Sequence, residues 1–301
     1  MSDIPHNESN LYNNNQSYAH LITERHAMLK PLTHHPYQLG ASLYMPATRQ
    51  DIWQVITREK LPTINSIIIC LEDAVSHGDV ELALIRLQTL LHTWAAHVDS
   101  INDPVKKEGI QSKAQTNQPT RPLVFIRPRH PAMLEQLADF AHIDLVDCFA
   151  LRIGGNDLFA ALRLRRPKNS IVYDTPIGTL AYQLLGCFVP HGFYLTAPVF
   201  EYLEQPTLFM KELMRDVNLG LVGKTVIHPS QIALVQQAYC VPLSTLDEAQ
   251  AILHSEAKAV FKYNDTMLEP ATHRAWATEI VNRAEVFGTL DDINSDYTTR
   301  L

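Results

Sequence analysis

Short apolar runs alternate with helical periodicity along most of the chain, the pattern of βα units that feed a parallel sheet. Six runs read as strands: Gln38–Met45, Ser66–Leu71, Pro122–Arg127, Leu145–Ile153, Gly192–Thr196 and Thr225–His228. Helical patterns follow them at Arg49–Arg58, Asp79–Ala96, Pro131–Ala141, Asp157–Arg165, Pro176–Phe188 and Pro206–Leu219. Several of these open on Pro or Asp, residues that suit a first helical turn. Beyond the last strand, Gln231–Tyr239, Leu246–Tyr263 and Thr272–Phe287 read as helices, so the last quarter is expected to be purely helical.

Polar segments divide this pattern. Residues 1–37 form a polar, Asn-rich N-terminal extension, residues 38–240 the βα domain with a polar loop at 101–121, and residues 241–301 a C-terminal helical extension. The net charge of −7 offers no basic field to a phosphate backbone, so nucleic acid is not an expected partner. Neither a secretory signal nor an apolar run of ~18 residues is present, which predicts a soluble, cytoplasmic protein with no membrane partner. Cys70, Cys148, Cys187 and Cys240 lack CxxC spacing and read as buried thiols in a reducing compartment.

The strand ends carry the candidate chemistry. Ile67–Leu71 runs straight into Glu72 and Asp73, and in parallel α/β barrels the C-terminal strand ends line the active site. The same two acids would serve equally well as helix caps or solvent-facing charges. Leu123–Ile126 ends in Arg127, whose guanidinium suits bidentate recognition of a carboxylate, or else an ion pair with Glu72 or Asp73 that ties the rim together. In Arg152-Ile153-Gly154-Gly155-Asn156-Asp157, the two glycines let a substrate approach the backbone and Asp157 offers a hard oxygen to Mg²⁺. N-capping by Asn156 or Asp157 is the plainer role there. Gly223-Lys224-Thr225 imitates a nucleotide-binding loop, but position 218 is Asn where that loop needs its first glycine, and the segment leads into a strand instead of a helix. His26, His34 and His35 have no Cys or acid at zinc-ligand spacing.

Taken in order, these segments resemble the HpcH/HpaI aldolase and citrate lyase β-subunit superfamily, the CitE-like proteins. The likeness rests on Ser42–Ala47, Leu71–Val75, Ile126-Arg127, Gly154–Leu158 and Gly223-Lys224 through His228–Ile232. Tyr173–Pro176, Leu195–Glu201 and Glu269–His273 are most similar to the citrate-lyase-like proteins encoded with tellurium-resistance genes. The resemblance implies a TIM-type (β/α) barrel that makes or breaks a carbon–carbon bond beside a carbonyl through a Mg²⁺-stabilised enolate. It implies Asp157 as metal ligand with Glu72 beside it, Arg127 as the clamp on the substrate carboxylate, and Glu72 and Asp73 as acids around the metal and its waters. The expected partner is a small carboxylate or acyl substrate, with an acyl-CoA or other thioester left open.

One departure shapes the expectation. The superfamily places a Pro-Lys strand and a strand ending in Glu-Thr between the arginine strand and the metal-aspartate turn, and that Glu is its second metal ligand. Here Arg127 and Asp157 are 30 positions apart, and one strand-helix-strand unit takes about 30 residues. Asp147–Ile153 reads as the start of one such strand joined to the end of a later one. A barrel shortened to six strands is therefore expected. With it go a weak Mg²⁺ site, Glu72, Asp73 or Glu201 as replacement ligand, and homo-oligomer formation through the open edge before Leu145 or the C-terminal helices. A barrel that has lost catalysis and serves in binding or assembly is the alternative.

Overall fold

The computed structural model describes residues 35–102, 123–127 and 150–291. Among these residues, six parallel strands carry the fold: β1 (Gly40–Pro46), β2 (Ser66–Cys70), β3 (Leu123–Arg127), β4 (Leu151–Arg152), β5 (Leu195–Thr196) and β6 (Gly223–Val226). β3, β2, β1 and β6 are hydrogen-bonded in that order, β4 pairs with β5, and a parallel bridge between Ala197 and Lys224 carries the pairing from β6 to β5. The spatial order is thus 3-2-1-6-5-4, the order that consecutive βα units take around a ring. This is a TIM-type barrel wall of six strands, and among the described residues no pairing joins its two ends, β3 and β4.

Strand alternation decides which side chains face out. Ala41, Leu43 and Met45 of β1 and Ile67 and Ile69 of β2 are at most 1 % exposed and pack against helices α1 (Ile52–Ile56), α2 (Val80–Asn102), α5 (Pro206–Asn218) and α6 (Ser230–Tyr239). Each such aliphatic side chain contributes about 1.5–3 kcal/mol by leaving water. The alternate residues face the interior, where polar groups satisfy one another: Ser42 and Ser66 oxygens lie 2.7 Å apart, and Ser66 donates to the Leu39 carbonyl at 2.7 Å. A second core joins β4 and β5 to α3 (Gly155–Ala161) and α4 (Pro176–Phe188) through Ile153, Phe159, Ile177 and Leu195. Gly40 opens β1 at φ +46°, and a Cβ there would stand 2.6 Å from Asn65, so the turn into the first strand requires glycine.

The helix over Pro176–Phe188 forms as expected because Thr175 caps it, accepting from the Ile177 amide at 3.3 Å, and Pro176 sits in its first turn. Elsewhere the structure shifts the expectation. β6 begins two residues before Thr225 because Lys224, polar in pattern, is fully buried and satisfied within the fold. α3 begins at Gly155, ahead of Asp157, and only Leu151 and Arg152 of the fourth strand are paired; its start at Leu145 lies outside the described residues, as do the expected helix at Pro131–Ala141 and the polar loop beyond Asn102.

The C-terminal part is built on two packed helices, α7 (Leu243–Leu253) and α8 (Pro270–Phe287), over their own core of Val241, Ala249, Ile252, Leu268 and Ala277. It is not purely helical. β7 (Val241–Pro242) leads into α7, and the helix expected to reach Tyr263 ends at Leu253. β8 (Phe261–Tyr263) and β9 (Thr266–Leu268) then form an antiparallel hairpin. Asn264 takes the left-handed turn conformation at φ +52°, which Asn tolerates better than most residues and which outweighs the helical periodicity there. β10 (Thr289–Leu290) returns to pair in parallel with β7. Of the cysteines, Cys70 is buried, Cys240 half-buried and Cys187 exposed, so burial does not extend to all the thiols; Cys148 lies outside the described residues. No helix among the described residues is long and apolar enough to cross a membrane.

Candidate active site

The chemistry-bearing residues gather at the C-terminal ends of the strands. Past Cys70 the chain turns at once: the Ala47 amide donates to the Cys70 carbonyl at 2.9 Å and the Glu72 amide lies 3.2 Å from Cys70 Sγ. Glu72 is half-buried and Asp73 exposed on this turn. Arg127 pairs in register with Cys70, one strand along the wall, and its side chain lies outside the described part of the structure.

At the end of β4 the chain is drawn tight by two glycines. Gly154 caps α3, with the Leu158 amide donating to its carbonyl at 3.0 Å. Asp157, on the first turn, folds its carboxylate back so that Oδ2 would stand 2.5 Å from a Cβ at Gly154. A Cβ at Gly155 would stand 2.8 Å from Pro198. Gly155 is thus required by the close approach of Pro198, whereas at Gly154 the neighbour is the movable end of Asp157, and Asp157 sits where an acid favours the helix N-terminus.

Sequence reading passed over Arg152. It pairs with Thr196 in register, and its neighbours Leu151 and Ile153 pack outward into the second core. By alternation its side chain faces the interior, where its guanidinium lies over the Tyr44 ring, 5.4 Å from the centroid. The Tyr44 hydroxyl in turn meets Cys70 Sγ at 2.7 Å. A charged residue between two apolar ones in a barrel strand was the available signal. Arg152 makes no ion pair with a described carboxylate.

Glu201 is committed elsewhere. Its Oε2 lies 2.7 Å from Arg166 Nε, a contact that belongs to a buried charge layer between the wall and α5. Arg166 also donates to Glu212 at 2.6 Å and to the Val199 carbonyl at 2.7 Å. Lys224 donates to Glu212 at 2.7 Å and to Asp216 at 2.8 Å, and Tyr173 donates to Asp216. Burial pushes the Glu212 carboxyl up, but the charges of Lys224 and Arg166 outweigh it and hold Glu212 below the usual carboxylate range. Burial dominates at Asp216, which is raised. Lys224 is thus a structural cation on the outer side of the wall, consistent with rejecting a nucleotide loop.

Glu72, Asp73 and Asp157 supply the hard oxygens Mg²⁺ prefers, at the expected end of the barrel. Among the described residues, however, no three His, Cys, Asp or Glu side chains come together as a metal site. The described donors do not fit Mg²⁺ as they stand.

A parallel barrel with acids, arginines and glycines at its strand ends defines the class, and comparison with known families gives it a name. The C–C bond lyase family of the TIM-barrel fold matches residues 33–151 and 146–289, and the chain belongs to that family. The two matched stretches overlap at 146–151, all but the first residue of which falls in the Asp147–Ile153 segment that reads as two strands joined. Among solved structures, the chain is similar to the CitE protein of Mycobacterium tuberculosis in complex with magnesium, acetoacetate and coenzyme A, with a TM-score of 0.55 and 17 % identity, over 82 % of this chain and 99 % of that one. It is also similar to a citrate lyase of Burkholderia xenovorans LB400, with a TM-score of 0.53 and 16 % identity, over 89 % of this chain and 96 % of that one. At such identities the likeness shows the fold. No curated protein matches the chain.

Proposed function

We propose that the chain makes or breaks a carbon–carbon bond beside the carbonyl of a small carboxylate or acyl substrate, at the mouth where β2, β3 and β4 end. The observation that carries this reading is Arg152, an inward guanidinium at the end of β4 whose described surroundings hold no paired carboxylate. A carboxylate substrate completes it by a charge-assisted, bidentate contact. Arg127 serves as the second clamp. Glu72 and Asp73 then stand on the adjoining strand end as the acids available for proton transfer. Acetoacetate, the ligand in the mycobacterial relative, is a suitable probe of substrate binding.

The metal is where this chain departs from its family. The family reading places Mg²⁺ on Asp157 and Glu72, and the described donors fall short of a site. Mg²⁺ affinity is therefore expected to be weak and to rest on Asp157, because this ion dehydrates reluctantly unless anionic oxygens are already arranged for it. Calorimetric titration of Mg²⁺ into the wild type, Asp157→Asn and Glu72→Gln checks this. Tight binding that survives Asp157→Asn would sink the assignment. The family's Glu-Thr strand has no counterpart in the 30 positions between Arg127 and Asp157, which favours a second reading, a barrel that binds its ligand without catalysis. That reading gains if acetoacetate binds and millimolar Mg²⁺ does not. Self-association is a further expectation, from the ends of the wall at β3 and β4, which no pairing joins among the described residues, and a strictly monomeric species in sedimentation at micromolar concentration counts against it.

A further inference from the structure

A second cavity lies at the opposite end of the barrel, between the segments leading into β1, β5 and β6 and the C-terminal helix α8. It measures about 760 Å³, within the ~300–1,000 Å³ of small-molecule sites. Tyr37, Phe193, Tyr194 and Trp276 give it aromatic walls, and Glu279 and Arg283 of α8 reach it one helical turn apart.

Arg283 is the unusual member. It is 8 % exposed, and its Nε is buried with no hydrogen-bond partner. Among the described residues its guanidinium makes no ion pair. A buried arginine without a counter-charge is costly, and natural folds rarely leave one so. Glu279 does not neutralise it. That carboxylate accepts instead from the Tyr194 hydroxyl at 3.1 Å, lies 3.8 Å from His35 Nε2, and is pushed by its burial towards the uncharged form. The cavity therefore combines apolar walls with one uncompensated positive charge.

We infer that this cavity binds an organic monocarboxylate with an apolar body, whose carboxylate pairs with Arg283 and whose body lies against Tyr37, Phe193 and Trp276. A single negative charge matches a single guanidinium, since Arg283 is the one Lys or Arg among the lining residues; a phosphate dianion would overcompensate it beside Glu279. The site is separate from the mouth at the strand C-termini, so it stands or falls independently of the reaction proposed there.

Benzoate and its neutral isostere benzamide test this by calorimetry on the full chain. Benzoate should bind saturably and benzamide about tenfold or more weakly, the cost of losing a charge-assisted pair. Arg283→Met should lose benzoate binding by a similar factor, Arg283→Lys should retain part of it, and acetoacetate should not displace it. Equal binding of the two probes, unchanged benzoate binding by Arg283→Met, displacement by acetoacetate, or no saturable binding at millimolar benzoate each overturns the inference. If Arg283→Met does not fold, the contrast between the two probes and the acetoacetate competition on the wild type still decide.

Discussion

Lys224→Met should lower the folding stability by about 3–5 kcal/mol, because removing one partner of a buried charge cluster leaves the others uncompensated. Lys224, Glu212 and Asp216 have fully buried side chains, and Lys224 is the cation both carboxylates share. Without it, Glu212 keeps Arg166, whereas Asp216 keeps only the Tyr173 hydroxyl. The loss should also depend on pH. In the wild type Glu212 is held below its unfolded value, so its contribution is present above that value and fades as pH falls through its folded pKa. Asp216 is already raised in the wild type, and losing the Lys224 charge should push both buried carboxyls upward; a raised carboxyl contributes stability below its unfolded pKa that is lost as pH rises through the folded one. The deficit should thus be largest at neutral pH and shrink as the solution enters the carboxylate range. Urea melts of both proteins across that range measure it, and a deficit that grows on acidification contradicts the assignment.

Arg152→Ala should weaken acetoacetate binding by about 10- to 100-fold, the ~1.5–3 kcal/mol expected for a hydrogen-bonded pair with a charged group. Its effect on stability should be small, since the substitution removes one cation–π approach to Tyr44, worth about 0.5–1 kcal/mol at a partly exposed site. Arg152→Lys keeps the charge but not the fork and should recover part of the affinity. Calorimetry and thermal melts on the same samples separate the two effects. Unchanged affinity in Arg152→Ala would remove the support on which the proposed substrate site rests, while a stability loss comparable to that of Lys224→Met would make Arg152 a structural residue.

The barrel strands and most helices were legible because alternation and capping are local: Thr175-Pro176 announces its helix, and Ile67–Cys70 reads as a strand without any partner in view, whereas the short strands of the C-terminal part were not. What the pattern missed were residues whose environment is set by distant chain. Lys224 reads as polar, yet it lies inside the wall's outer layer because Glu212 and Asp216 come to it from α5. Glu201, eligible by position as a replacement ligand, is bound to Arg166. The Asn264 hairpin was masked by helical spacing on either side. Arg152 could have been found, since Leu151 and Ile153 flank it, but the glycines and Asp157 just beyond drew the reading to themselves. The six described strands match the six apolar runs, whereas the expected loss of two units rests on the 30 positions between Arg127 and Asp157, most of which lie outside the described residues.

That count has a consequence for size exclusion. Barrel diameter grows roughly in proportion to strand number, so the six described strands by themselves would enclose about three quarters the girth of eight. One approach spans the lumen: Arg152 on β4 and Tyr44 on β1 are separated along the wall by β5 and β6, yet the guanidinium reaches the ring. On the proposed reading, a few-carbon acid is the substrate that suits a lumen bridged at this level by Arg152 and Tyr44.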